Sequence, residues 1–242
     1  MQSNQQSNSP DSTTPKAIQV GHLIMASNSL GNNLDIPQRS LDAVKNSDIV
    51  IFEEDRVARQ VLKTAGIHRE YLKFNEHAQK DTLDEVRNAL KKNQTITYMS
   101  DQGCPTIEDP GSAVLEIAYS LKSKVTVIPG PCSISAALSA CPFATHGYLF
   151  AGFLPREQVD RVKKLKDLSS LRVPLVIMDT PYRLHALIDS CMDVFGKGRK
   201  VLLAIDISGE QERFICDNLE NCKKLCLSMQ DKLNFVLVVA SS

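Results

Sequence analysis

Residues 94–121 place a strand, a Gly/Pro-rich loop and a helix in immediate succession, a pattern that restricts the fold to a sheet with crossover helices. Gln94-Thr-Ile-Thr-Tyr-Met99 alternates β-branched and polar residues. Val114, Leu115, Ala118 and Leu121 then fall on one helical face. Between them runs Ser100-Asp-Gln-Gly-Cys-Pro-Thr-Ile-Glu-Asp-Pro-Gly111. Asp109 is expected as the N-cap and Pro110 in the first helical turn, while Gly103, Pro105 and Gly111 relax or restrict the backbone where it turns sharply. In an open α/β sheet, the loop leaving the carboxyl end of a strand is where small ligands bind. An ordinary βα connection rich in Gly and Pro has the same composition.

The same unit recurs on either side. Val20 to Met25 reads as the first strand, with Ala26 to Asp35 as its turn-rich exit loop. A helix over Pro37–Asn46 leads to Ile49-Val-Ile-Phe52, a short buried strand ending in Glu53-Glu54-Asp55-Arg56. Three carboxylates at a strand end repel one another, so they are solvated, paired with Arg56 or Arg59, or used for chemistry. A helix from Arg56 to Ala65 closes at Gly66, and Tyr71 to Phe74 leads into Asn75-Glu76-His77. Asp81–Lys92 is amphipathic, with Leu83, Val86 and Leu90 inward. Past the central loop, Lys124–Ile128 is a strand that breaks at Pro129-Gly-Pro131 before an Ala/Ser-rich helix, Cys132 to Ala140. Its small residues suit either a bound ligand or close packing.

After Cys141-Pro142 the pattern changes. Tyr148–Phe153, Val173–Met178, Val201–Ile205, Arg213–Cys216 and Asn234–Ala240 read as strands, interrupted by helices at Glu157–Leu168 and Tyr182–Phe195. A mixed sheet and a second domain are expected. The expected division is a disordered tail over 1–17, an N-terminal α/β domain over 18–143 and a C-terminal α/β domain over 144–242, with the ligand cleft between them.

Composition narrows the partners. With 28 basic and 28 acidic residues the chain has no net charge, so any nucleic-acid contact rests on a local patch. Arg156, Arg161, Lys163, Lys164 and Lys166 form the densest one, although a solvated surface helix also explains them. Seven cysteines scattered through apolar segments argue for reduced thiols and a cytoplasmic protein. Cys216, Cys222 and Cys226 lack paired CxxC spacing, so no metal is expected. The polar segment from Met1 to Lys16 is read as neither a secretory signal nor an anchor, and no stretch approaches the roughly 20 apolar residues of a membrane span.

The 100–111 loop, followed by Ile128-Pro-Gly-Pro-Cys-Ser133, resembles the paired signature of the S-adenosylmethionine-dependent tetrapyrrole-methylase superfamily. The match is most similar to the branch of bacterial small-subunit ribosomal RNA 2′-O-ribose cytidine methyltransferases. Glu53-Glu54-Asp55-Arg56, Asn75-Glu76-His77, Gly152-Phe-Leu-Pro-Arg156, Thr180-Pro-Tyr-Arg183 and Phe235-Val-Leu-Val-Val239 follow in the family's order. The resemblance implies two α/β domains with S-adenosylmethionine folded between them. It implies cofactor contacts at Ser100, Asp101, Gly103, Cys104, Pro105, Ile107, Pro131, Cys132, Ser133, Met178 and Ala204. It also implies a homodimer and a ribosomal RNA or small-subunit partner.

Methyl transfer from a sulfonium is an in-line displacement that requires alignment above all, and a ribose hydroxyl benefits from a base. Glu53, Glu54 and Asp179 are the candidate bases, with Arg56 and Arg183 positioning the acceptor. The chain departs from relatives in its first exit loop, which lines the acceptor side of the family's cleft. It departs again at Gln102 and Cys104 for Ala and Thr, at Tyr182 for His, and at Ile205 for Arg. These departures keep two further readings open: a corrin or porphyrin ring methylase, and a catalytically degenerate protein that binds cofactor and RNA.

Overall fold

The computed structural model describes residues 21–74, 79–227 and 232–241. The expected N-terminal tail and the Asn75-Glu76-His77 motif lie outside the described residues.

Two five-stranded sheets are built in sequence. The first comprises β1 (His22–Ala26), β2 (Ile49–Phe52), β3 (Leu72–Lys73), β4 (Thr95–Met99) and β5 (Lys124–Ile128), in the order β3-β2-β4-β1-β5, all parallel. Helices cover both faces, which is why the strands read as short apolar runs. Val50 and Phe52 face α1 (Gln38–Asn46) and α2 (Asp55–Ala65), whereas Ile51, Ile96 and Tyr98 face α3 (Gln79–Lys91) and α4 (Ser112–Ser120).

The second sheet is mixed, as expected. β6 (Leu149–Phe153), β7 (Leu175–Asp179), β8 (Lys200–Ile205), β9 (Arg213–Asn218) and β10 (Phe235–Val239) lie in the order β6-β7-β10-β8-β9. β6 and β7 are parallel, and β10 runs antiparallel to both neighbours. On one face pack α6 (Gln158–Ser169), α7 (Leu184–Phe195) and α8 (Leu219–Leu227). On the other lies α5 (Ser133–Ser139), whose Ile134 and Ala137 meet Val176, Leu202 and Val236. A helix that follows a strand of the first sheet thus seals the second, and the two α/β units meet there.

Three local readings are corrected. α4 begins at Ser112, with Gly111 as N-cap; the Asp109 carboxylate instead accepts from the Thr106 and Gly111 amides at 2.8 Å each, closing the loop before the helix starts. A third helix, α8, interrupts the second domain: Leu219, Cys222 and Cys226 are buried at helical spacing that lies between strongly polar residues. Arg161 is not part of a basic surface. It is buried, donating to Ser190 Oγ at 2.9 Å and to the Pro155 and Arg156 carbonyls at 3.2 and 2.6 Å, so Lys163, Lys164 and Lys166 are left as the exposed cations of that helix.

Candidate active site

The carboxyl ends of β1, β4 and β5 sit side by side, and their exit loops are tied by backbone groups. The Asn28 amide donates to the Gly103 carbonyl at 2.9 Å, and the Gly103 amide to the Ser29 carbonyl at 3.2 Å. The Asn28 side chain donates to the carbonyls of Ser100 and Asp101 at 3.2 and 3.0 Å. Ser27 Oγ donates to the Ile128 carbonyl at 2.8 Å, and Cys104 Sγ to that of Pro131 at 3.4 Å. Gly103 adopts φ +71°, the left-handed region that side chains disfavour, and this turns both its amide and its carbonyl onto the β1 loop.

These loops face the second sheet across a cavity of ≈250 Å³. Gly103, Cys104, Ile107, Cys132, Ser133 and Met178 line it, as do Leu30, Phe153, Asp206 and Asn234. Asp179 stands on its wall, with one oxygen 3.2 Å from Arg183 Nη1 and accepting from the Thr180 amide at 2.8 Å. Its second oxygen is buried without a hydrogen-bond partner, and burial raises the carboxyl above its ordinary range. An apolar slot with an orphaned carboxylate oxygen fits the cationic, adenosyl-bearing cofactor that the sequence implies. Gly103, Cys104, Ile107, Cys132, Ser133 and Met178 would line it, with the buried Asp179 carboxylate behind the wall as the nearby negative charge.

Next to this slot, sharing Leu30, Gln102 and Asn234 with it, opens a polar compartment of ≈570 Å³. Glu54, Arg56, Gln60, Asn28 and Asp101 line it. Gln102 stands between the two: its amide donates to the Leu30 carbonyl at 2.8 Å, and its oxygen accepts from Asn234 at 3.0 Å. The Asp101 carboxyl is raised by burial and by the charge of Glu54.

The structure separates the acidic run. Successive side chains at a strand end point to opposite sides. Glu53 turns inward to accept from Tyr98 at 2.9 Å, Glu54 faces the polar compartment, and Asp55 pairs with Lys73 at 2.6 Å and Tyr71 at 3.0 Å rather than with an arginine. Ser100, Pro105, Pro131 and Ala204 do not reach the cavity wall. Ser100 Oγ donates to the Gly103 carbonyl at 3.2 Å, and Ala204, on the alternation of β8, is buried against α5. Arg183 is engaged with Asp179 and with the Leu154 and Pro155 carbonyls at 2.9 and 2.7 Å. Ile205, where relatives carry arginine, is buried in the sheet core. Leu30, Asp206 and Asn234 lie in three separate loops and Phe153 ends β6; the sequence singled out none of them as a site residue, because only the folded chain brings them to one cavity.

Burial moves Glu53 from 4.5 to about 7, against the pull of the Tyr98 hydrogen bond and with added repulsion from Asp109 and Asp101. The folded protein therefore holds this proton to higher pH than the unfolded chain, so the group's contribution to stability falls as pH rises from about 4.5 through 7. Glu53→Gln keeps an acceptor for Tyr98 and removes the titration. Its urea midpoint is expected to exceed that of wild type at pH 8, with the difference shrinking toward pH 5; an unaltered pH slope would refute this.

The family model for Tetrapyrrole (Corrin/Porphyrin) Methylases matches residues 22–222. The Ribosomal RNA small subunit methyltransferase I of Mesorhizobium japonicum is 31% identical over 186 residues, covering 77% of this chain and 63% of its own length. The protein of the same name from Leptospira borgpetersenii is 30% identical over 223 residues, covering 91% and 88%. A crystal structure of diphthine synthase superposes with a TM-score of 0.72 at 17% identity, over 91% of this chain and 90% of that one. The match along nearly the whole described chain, on a fold of two α/β units that meet at a slot, leads to one conclusion: the chain belongs to the tetrapyrrole (corrin/porphyrin) methylase family.

Proposed function

We propose that this chain is an S-adenosylmethionine-dependent methyltransferase that methylates a ribose 2′-hydroxyl of small-subunit ribosomal RNA. The observation that carries the reading is the polar compartment beside the cofactor slot. A wall of Glu54, Arg56, Gln60, Asn28 and Asp101 suits a hydroxyl and a phosphate better than a reduced macrocycle. The names of its relatives support the same acceptor.

S-adenosylmethionine, when bound, supplies a methyl group activated by a sulfonium. The chain's own residues do the remaining work. Asp179 offsets the positive charge, and the apolar wall keeps water from the slot. Glu54, exposed in the polar compartment, takes the hydroxyl proton. Arg56 on the same wall holds the flanking phosphate. A cytoplasmic location and a homodimeric state accompany this reading, the first supported by seven free cysteines and the second by the resemblance alone.

The test is transfer of labelled methyl to small ribosomal subunits from cells lacking this gene, with a free tetrapyrrole as parallel acceptor. Label is expected in the RNA, and Glu54→Gln is expected to lower kcat by about 10²-fold or more while calorimetric cofactor affinity stays within about twofold. Label in the tetrapyrrole would reassign the chain to ring methylation, and label in neither would overturn the enzymatic reading.

A further inference from the structure

Adjoining the slot, and sharing no lining residue with the polar compartment, lies a further groove of ≈760 Å³. It shares Phe153 and Thr180 with the slot, and its other lining residues are Leu154, Pro155, Arg156, Tyr182 and Arg183. Three observations set it apart from an ordinary surface hollow.

First, it gathers aromatic faces that folding leaves in water. The Tyr182 side chain is 75% exposed and Phe153 is 42% exposed, although only 5% of the chain is aromatic. Gly152 explains Phe153: it adopts φ +62° where the β6–β7 register shifts, and such an irregularity re-aims the side chain that follows.

Second, the groove is basic. Lys232 Nζ stands 4.4 Å from the Tyr182 ring centroid, Arg156 is exposed on the rim, and no carboxylate lines the groove among the described residues. The polar compartment, in contrast, carries Glu54 and Asp101.

Third, its floor is built in advance. Arg183 donates to the Leu154 and Pro155 carbonyls at 2.9 and 2.7 Å, and buried Arg161 donates to the Pro155 and Arg156 carbonyls at 3.2 and 2.6 Å. Four guanidinium bonds thus hold residues 154–156 in one shape, so little ordering cost remains for a ligand.

We infer that this groove is a base-stacking subsite for single-stranded RNA: Tyr182 and Phe153 take the base of a nucleotide flanking the methylated one, and Lys232 and Arg156 meet its phosphates. Aromatic platforms interleaved with cations are how proteins hold unpaired bases, and a duplex cannot offer a base face to them. The inference rests on the RNA reading above and adds to it a place and a strand state.

The chain contains no tryptophan, so Tyr182→Trp introduces a single reporter at an exposed position. Titration of the full-length variant with a mixed-sequence 12-nucleotide RNA is expected to quench its emission, while the same strand annealed to its complement leaves it unchanged. In fluorescence anisotropy with the labelled strand, Tyr182→Ala is expected to weaken binding about tenfold and Tyr182→Phe less than about threefold. With small subunits as acceptor, Tyr182→Ala is expected to raise KM and leave kcat near wild type, and cofactor affinity by calorimetry is expected to match wild type in all three variants. If the strand binds by anisotropy but neither quenches the reporter nor responds to Tyr182→Ala, the groove is not the subsite and the RNA reading stands. If wild type binds no single-stranded RNA and labels none, the RNA reading fails and the subsite with it. Equal quenching by duplex would also overturn base stacking.

Discussion

Asp179→Ala is expected to raise the dissociation constant for S-adenosylmethionine by about 30-fold or more. The Asp179 side chain has no solvent exposure, and one of its oxygens is committed to Arg183 and the Thr180 amide. The other faces no hydrogen-bond partner inside the protein. A buried carboxylate oxygen left unpaired is costly, which is the cause of its raised pKa. In the proposed complex, a cation in the slot would lower that cost through space, across the wall that covers the carboxylate. Removing one partner of a buried charge pair typically costs about 2–5 kcal/mol, and about 1.4 kcal/mol is a tenfold change in affinity. Asp179→Asn keeps the shape and an oxygen for the Thr180 amide but not the charge, so it should fall between wild type and alanine.

The same residue gives the affinity a pH dependence of known sign. Burial raises the Asp179 carboxyl, so its ionised form, the only one that attracts a cation, is lost at a higher pH than for an ordinary carboxylate. Calorimetry should therefore find wild-type binding weakening as pH falls into the acid range, from a higher pH than an ordinary carboxylate would give, with the contribution of Asp179 absent from Asp179→Asn. An alanine variant that binds as wild type would remove Asp179 from the cofactor site.

Gly103→Val is expected to cost the protein about 2 kcal/mol or more of stability and most of its cofactor affinity. At φ +71° a β-branched residue meets the left-handed penalty of about 1–2 kcal/mol. A Cβ there would also lie 3.2 Å from Leu30 Cδ2 and 3.3 Å from the Pro131 carbonyl, tight contacts to two other loops that wall the slot. Crowding of that kind adds about 1–3 kcal/mol or displaces the loop. The loop cannot shift alone, since Gly103 itself carries the two backbone bonds that hold it to Asn28 and Ser29.

A chain of this size loses about 2–4 °C in Tm per kcal/mol, so a fall of about 4–8 °C is expected, and added S-adenosylmethionine should no longer raise the melting point. Gly66→Val separates the causes. Gly66 has φ +69° but no atom within 4 Å of the position its Cβ would take, so it reports backbone strain alone and should leave cofactor affinity intact. Equal effects at the two glycines would mean that crowding at the slot is unimportant.

Where a residue's role depended on its near neighbours in sequence, it was legible before the fold. The β4 strand, its loop and the following helix were legible from period and turn chemistry, because both act over a few residues. The start of α4 was not, since Asp109 caps the amides of Thr106 and Gly111 inside the loop, and a capping side chain at a helix start and one closing a preceding turn look alike in sequence. Arg161 shows a different limit. Its place in a run of cations suggested a surface, yet its carbonyl partners at Pro155 and Arg156 and its partner Ser190 come together only when α6 packs against α7.

The sequence by itself determined the family and the alternation of strands and helices, because periodicity and motif order are local properties repeated along the chain. Only the tertiary structure decided how the carboxylates divide: Glu53 toward Tyr98, Asp55 toward Lys73, Glu54 into the polar compartment and Asp179 beside the slot between the sheets. Which acid is buried, paired or open depends on what the second sheet and the neighbouring strands bring within a few ångströms, and burial and nearby charge, not residue type, determine what a carboxylate does.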